Sequence, residues 1–127
     1  MHRNKDYELR AQQFFAFQVV PISVRTLMRS AGCSRSTAYR LIDRYWAGLS
    51  AWQPDGRGRF YTIYFPIGTS VQEAFRFLNL RVNRGKTRAK VYECARGRKP
   101  IAQYRLVKDG IEKHDRELGV TTMLPIG

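Results

Sequence analysis

The segment Ser34-Arg35-Ser36-Thr37-Ala38-Tyr39-Arg40 packs three aliphatic hydroxyls, one phenol and two guanidinium groups into two helical turns. Their common chemistry is hydrogen-bond donation to anions and carbonyl edges. Arginine adds a planar fork that clamps phosphate or guanine through two parallel bonds. Further arginines stand at Arg25, Arg44, Arg57 and Arg59, and a basic run holds Arg84, Lys86 and Arg88. Catalytic chemistry has much less to draw on. The two histidines, His2 and His114, lie at opposite ends of the chain, and the ten acids form no paired motif. A base, a nucleophile or a metal gathered in a pocket is therefore not expected, and neither is an enzyme. Cys33 and Cys94 lack a CxxC neighbour, so two free thiols are expected. Their spacing to the histidines matches no zinc finger or ribbon, and nothing calls for a metal, a cofactor or a small-molecule ligand.

Charge points the same way. Lysine and arginine number 23 against 10 acids, a formal +13 in 127 residues. Such an excess implies a polyanionic partner, because phosphate contacts gain from counterion release. An anionic membrane surface is the competing partner. It calls for a basic amphipathic helix, and here the cations sit mostly among turn and strand formers. No run approaches the roughly 20 apolar residues of a membrane span. Met1 to Asp6 is polar and no apolar signal region follows, so a cytoplasmic protein is expected. Hydrophobic residues make up 43% of the chain, enough for a modest core.

The elements that must carry these residues follow from periodicity and punctuation. Residues 5–19 read as a first helix, with Leu9, Ala11, Phe14, Phe15 and Phe17 on one broad face. Pro21 breaks it. Ser23 can cap a short helix over 24–31, Gly32 ends that helix, and Ser34 can cap the next, over 35–47. Leu27, Ala31, Cys33, Ala38 and Leu41 then face inward, continued by Ile42 and Tyr45. Arg35, Ser36, Tyr39, Arg40 and Arg44 face out, with Asp43 placed to orient a neighbouring arginine. Past Gly48 the period changes. Residues 49–52 and 59–65 read as a hairpin around the turn-forming 53–58. Trp46, Trp52, Phe60, Tyr61, Ile63 and Phe65 are expected to share its core and outer face, core packing being the commoner fate and stacking on single-stranded bases the alternative for some of them. Ser70 can cap a helix over 71–82, closed by Gly85. A second hairpin is expected over 86–108, a charged helix over 109–118 bearing Asp109, Glu112, Asp115 and Glu117, and a loose tail over 120–127. Between Arg76 and Lys108, Glu93 is the one acid among lysines and arginines. Those cations either track a nucleic-acid backbone or are solvated surface.

The run Ala31-Gly32-Cys33-Ser34-Arg35-Ser36-Thr37-Ala38-Tyr39-Arg40-Leu41 resembles the bacterial helix-turn-helix. With the hairpin after it, the chain is similar to phage and bacterial winged helix-turn-helix regulators. The resemblance implies an α+β fold: a three-helix core plus a β-hairpin wing, with a small basic α/β C-terminal extension. The expected division is a DNA-binding domain over 1–68 and, over 69–127, an extension serving dimerisation or additional DNA contact. In that arrangement the start of the second helix reads base edges in the major groove and later residues touch the backbone. Arg35, Ser36 and Arg40 are the candidate base readers. Ser23, Arg25, Ser34, Thr37, Tyr39, Arg44, Arg57, Arg59, Arg84, Lys86 and Arg88 are candidates for the backbone. The implied activity is sequence-specific binding of double-stranded DNA by a homodimer. The implied role is a small repressor-like transcriptional regulator of phage, plasmid or mobile-element type. An architectural factor of excisionase or replication-accessory type, or an RNA-binding protein, are the alternatives.

Overall fold

The computed structural model describes residues 3–78, 90–107 and 110–124. Its first helix, α1 (Arg3–Ala16), buries Ala11 and Phe15, and Phe14 meets Phe15 edge to face. Phe17, expected on the buried face, lies beyond the helix end and is 79% exposed; Leu9 is also exposed. The two-residue strand β1 (Ile22–Ser23) leads into α2 (Val24–Ala31). The Ser23 hydroxyl accepts the Thr26 N–H at 3.3 Å, meeting one of the orphan donors of the first turn. Gly32 stops α2 in the left-handed region, φ +73°, where its N–H bonds Met28 O at 2.9 Å. Only glycine reaches that conformation without steric cost.

Ser34 repeats the cap for α3 (Arg35–Tyr45), accepting the Thr37 N–H at 3.3 Å. Helix α3 ends two residues before the expected boundary. Trp46 turns extended, at φ −120°, and buries its whole indole against the sheet. Its Nε1–H donates to Phe65 O at 2.8 Å, and its ring stands edge-on to Tyr64 at 4.9 Å.

Six strands follow: β2 (Gly48–Pro54), β3 (Phe60–Tyr64), β4 (Lys90–Ala95), β5 (Lys99–Val107), β6 (Gly110–Asp115) and β7 (Val120–Leu124). Helix α4 (Val71–Leu78) lies between β3 and β4 in the chain. The seven strands form one sheet in the order β1-β3-β2-β4-β5-β6-β7, every neighbouring pair antiparallel. Side chains alternate between its faces. One face carries Tyr64 and Cys94 in a core with Trp46, Leu27, Ala38, Leu41 and Ile42. The other carries Leu49, Ala51, Ile63, Phe65 and Val91 beneath Ala74, Phe75 and Leu78 of α4. Among the described residues no helix is long and apolar enough to cross a membrane.

This architecture overturns the expected fold class. A winged helix-turn-helix leaves its hairpin standing beside a three-helix core. Here β2–β3 is paired on both edges, to β1 and to β4, inside a seven-stranded sheet with four helices. The described residues after α4 are not a small α/β extension but four strands of that same sheet. Two local expectations fail with it. Residues 110–115 form β6, not a charged helix, and 120–124 form β7, not a loose tail. Asp115 makes the bend between them, its Oδ1 accepting the N–H groups of Glu117 and Leu118 at 2.9 Å each. Ladder pairing to β5 and β7 outweighs the local helical spacing of the acids. The expected continuation of α4 over 79–82 falls outside the described residues.

Two stability predictions follow from the core. Trp46→Ala deletes the fully buried indole and leaves Phe65 O unpartnered, and should cost about 3–5 kcal/mol in denaturant unfolding. The second concerns pH. Tyr104 donates its phenol to Glu93 Oε1 at 2.7 Å, and burial with that bond holds its pKa above the ordinary tyrosine value. The unfolded phenol ionises near pH ~10. Above that pH the unfolded state sheds a proton the folded state keeps, so stability contributed below pH ~10 is lost as pH rises. Tyr104→Phe should make this alkaline fall of the unfolding midpoint shallower.

Candidate nucleic-acid interface

Helix α3 leaves one ridge to solvent. Ser36, Arg40 and Arg44 follow one another at four-residue spacing, and Arg35 stands exposed beside them in the first turn. The hydroxyls at the helix start are tied together: Ser34 Oγ lies 3.4 Å from Ser36 Oγ and donates to Thr37 Oγ1 at 3.1 Å. Ser34 is thus occupied as a cap. Ser23 is occupied in the same way at the start of α2, where its hydroxyl also meets Thr26 Oγ1 at 3.2 Å.

Two of the outward residues of α3 are engaged inside the protein. Arg44 forms an ion pair with Glu8 of α1, and Tyr45 donates to the same carboxylate oxygen at 3.1 Å. Tyr39 is half-buried, with the Arg98 guanidinium 4.6 Å above its ring. Asp43 does orient an arginine, and it comes from the turn between β4 and β5. Arg98 binds the Asp43 carboxylate through both Nε and Nη2, the latter at 3.2 Å. The same turn supplies two more donors to the end of the helix. Gly97 N–H reaches Asp43 O at 3.2 Å, and Arg96 Nη1 reaches Arg44 O at 3.1 Å. Cations and N–H groups at a helix C-terminus meet carbonyls that have no partner within the helix. Arg96 and Arg98, read from the sequence as backbone-tracking or solvated, instead hold α3 against the sheet.

A cleft of about 600 Å³ runs between the helix pair and β3. Arg25 and Arg29 of α2, Arg35 and Tyr39 of α3, and Phe60 and Tyr64 of β3 line it. Arg29 was missed by the sequence reading, although it follows Arg25 by one helical turn. A second opening, of about 620 Å³, lies among Arg25, Asp55, Arg57 and Arg59. It brings the tip of the β2–β3 hairpin beside the start of α2. Asp55 shapes that tip, its Oδ1 accepting the N–H groups of Arg57 at 2.7 Å and Arg59 at 3.2 Å. Gly56 and Gly58, at φ +83° and +85°, supply the bends.

The structure thus gathers Arg25, Arg35, Arg57 and Arg59 around adjoining clefts. Arg40 faces the opposite flank of α3, above Tyr7 and Glu8. Arg84, Lys86 and Arg88 lie outside the described residues. Both cysteines are free thiols whose pKa is raised by burial, Cys33 half-exposed in the α2–α3 turn and Cys94 in the sheet. Comparison with protein-family models, with curated proteins and with solved structures finds no match to this chain.

The turn that grips α3 yields a backbone prediction. Arg98 sits at φ +57°, a conformation that costs a residue bearing Cβ about 1–2 kcal/mol. Arg98→Ala and Arg98→Gly both lose Asp43, but only alanine keeps the strain. Urea unfolding should find the alanine variant less stable than the glycine variant by about 1 kcal/mol.

Proposed function

We propose that this chain binds double-stranded DNA in a sequence-dependent manner, with α3 laid in the major groove. We assign it the role of a small, repressor-like transcriptional regulator of phage, plasmid or mobile-element type. One observation carries the reading. Arg35, exposed in the first turn of α3, opens onto the cleft lined by Arg25 and Arg29 of α2, and Arg25 in turn adjoins Arg57 and Arg59 of the hairpin tip. A groove-reading helix needs a base-facing ridge with cations beside it at the spacing of the phosphates.

Roles divide by position. Arg35, Ser36 and Arg40 read base edges from the first turns of α3. Arg25, Arg29, Arg57 and Arg59 neutralise phosphates on one side. Arg44 serves mainly to join α3 to α1 through Glu8, and Ser23, Ser34 and Thr37 fix the helix starts. Counterion release from these contacts supplies most of the affinity and makes it fall with salt. As a homodimer the protein would set two α3 helices about 34–36 Å apart, matching a pseudo-palindromic site. Such a protein works where the DNA is, in a bacterial cytoplasm or nucleoid.

Selection of bound sequences from a random duplex pool tests this. A defined, partly symmetric motif is expected. Arg40→Ala should relax one position of it and cost about 1–3 kcal/mol, whereas Arg57→Ala should weaken all sequences evenly and lower the salt slope by about 1. Length-dependent, sequence-blind protection by the unaltered protein would overturn the proposal.

A further inference from the structure

The sheet face that receives α1–α3 is only partly covered by them. Past the helices it carries a row of aromatic rings on three adjacent strands. Strand register sets them side by side. Trp52 shares its face with Ser50 and Pro54, Ser50 lies opposite Tyr92, and Pro54 lies opposite Phe60. Trp52 is 6.4 Å from Phe60 and 6.3 Å from Tyr92 between ring centroids. Trp52 is 63% exposed and Phe60 66% exposed, while Tyr92 is half-buried and roots the row in the core. Scattered single apolar residues on a surface need no explanation, but a contiguous aromatic patch marks a binding site.

We infer that this face, along Phe60, Trp52 and Tyr92, holds an unpaired strand of DNA by stacking its bases on the rings. Charge selects the occupant. At one end Phe60 lines the cleft that holds Arg25, Arg29 and Arg35. At the other, Lys90 stands two residues from Tyr92 on the same face, opposite Arg105 of β5. Arg105 is paired with Glu112 at 2.8 Å, and Lys90 is exposed. Aromatic rings between two cationic flanks suit a polymer of π-faces strung on phosphates. An apolar protein partner would find arginine where it needs neutral surface. Stacking is independent of whether α3 reads a duplex. The choice of DNA over RNA rests on the duplex reading above, since the row opens into the cleft assigned to DNA phosphates.

Tryptophan fluorescence gives a direct test. Trp46 is fully buried, so quenching by an added oligothymidylate reports on Trp52. Quenching that saturates with the oligonucleotide is expected of the unaltered chain, a result that needs no variant to fold. In anisotropy titrations with labelled oligothymidylate, Trp52→Ala and Phe60→Ala should each weaken binding roughly tenfold or more, with Trp52→Phe close to the parent. Affinity for the duplex selected above should stay unchanged in Trp52→Ala. Loss of duplex binding by the parent would remove the earlier proposal and leave the stacking result to stand by itself. Three results would overturn the inference: no quenching, a Trp52→Ala variant that holds the strand as tightly as the parent, or preference for oligouridylate through the same rings. So would sedimentation showing that Trp52→Ala splits a dimer while strand affinity is unchanged, because the row is then a contact between copies of this chain.

Discussion

The docking of α3 onto the sheet depends on the few groups that fix its C-terminal end. Trp46, immediately after the helix, is wholly buried and bonded to Phe65 O. The turn between β4 and β5 then covers the carbonyls of Asp43 and Arg44 and holds the Asp43 carboxylate. A helix of eleven residues has little stability of its own in water. Its orientation comes from what grips it, and here the grip spans the whole fold: α1 through Glu8, the α2 turn at Gly32, and a strand turn more than fifty residues further on. The positive φ of Arg98 fits this account. A strained backbone persists where the surroundings over-determine it, and the two-pronged bond to Asp43 with Tyr39 beneath the guanidinium does so.

Electrostatics follow from how the acids are spent. Among the described residues the three ion pairs take Arg44, Arg98 and Arg105. Asp55 turns its carboxylate to backbone N–H groups of the hairpin tip, and Glu93 accepts from Tyr104. Glu8 and Asp43 are therefore used to build the scaffold around α3, and no ion pair among the described residues takes a cleft arginine. Concentrated like charge destabilises a compact chain through self-repulsion. On the duplex-binding proposal, a phosphate backbone lying in the clefts would relieve that repulsion and so couple stability to occupancy.

Parts of this arrangement were legible in the sequence because they are local. Ser23, Gly32 and Ser34 act within a few residues of themselves, and they fixed α2 and the start of α3 correctly. The turn formers around Asp55 likewise marked the β2–β3 hairpin, and Arg96-Gly97-Arg98 the turn between β4 and β5. What stayed hidden is non-local. Residues 110–115 place Glu112 and Asp115 at a spacing that suits a helix, and only the ladders to β5 and β7 make them a strand. Nothing near Arg98 announces Asp43, which lies 55 positions away. Trp52 lies on β2 and Phe65 just beyond the end of β3, both aromatic residues of one hairpin, yet one is exposed and the other buried. Their fates differ because α4 packs over Phe65 on one face, whereas the three N-terminal helices leave Trp52 uncovered on the other.

That uneven cover has a physical consequence. Burying aromatic surface is favourable by about 25 cal/mol per Å², so a chain free to do so would extend a helix or loop over Trp52 and Phe60. The N-terminal helices instead stop at Tyr64 and Cys94, held there by Trp46 and by the turn that carries Arg96 and Arg98. The constraint that aims α3 thus also sets the limit of the core on that face. Beyond the limit, the rings of β2, β3 and β4 open into the arginine cleft. The helix ridge and the bare part of the sheet are in this sense products of a single packing decision, made at the C-terminal end of α3. A change there that tilts the helix must alter both surfaces together, whereas a change at Trp52 or at Arg40 alters one and spares the other.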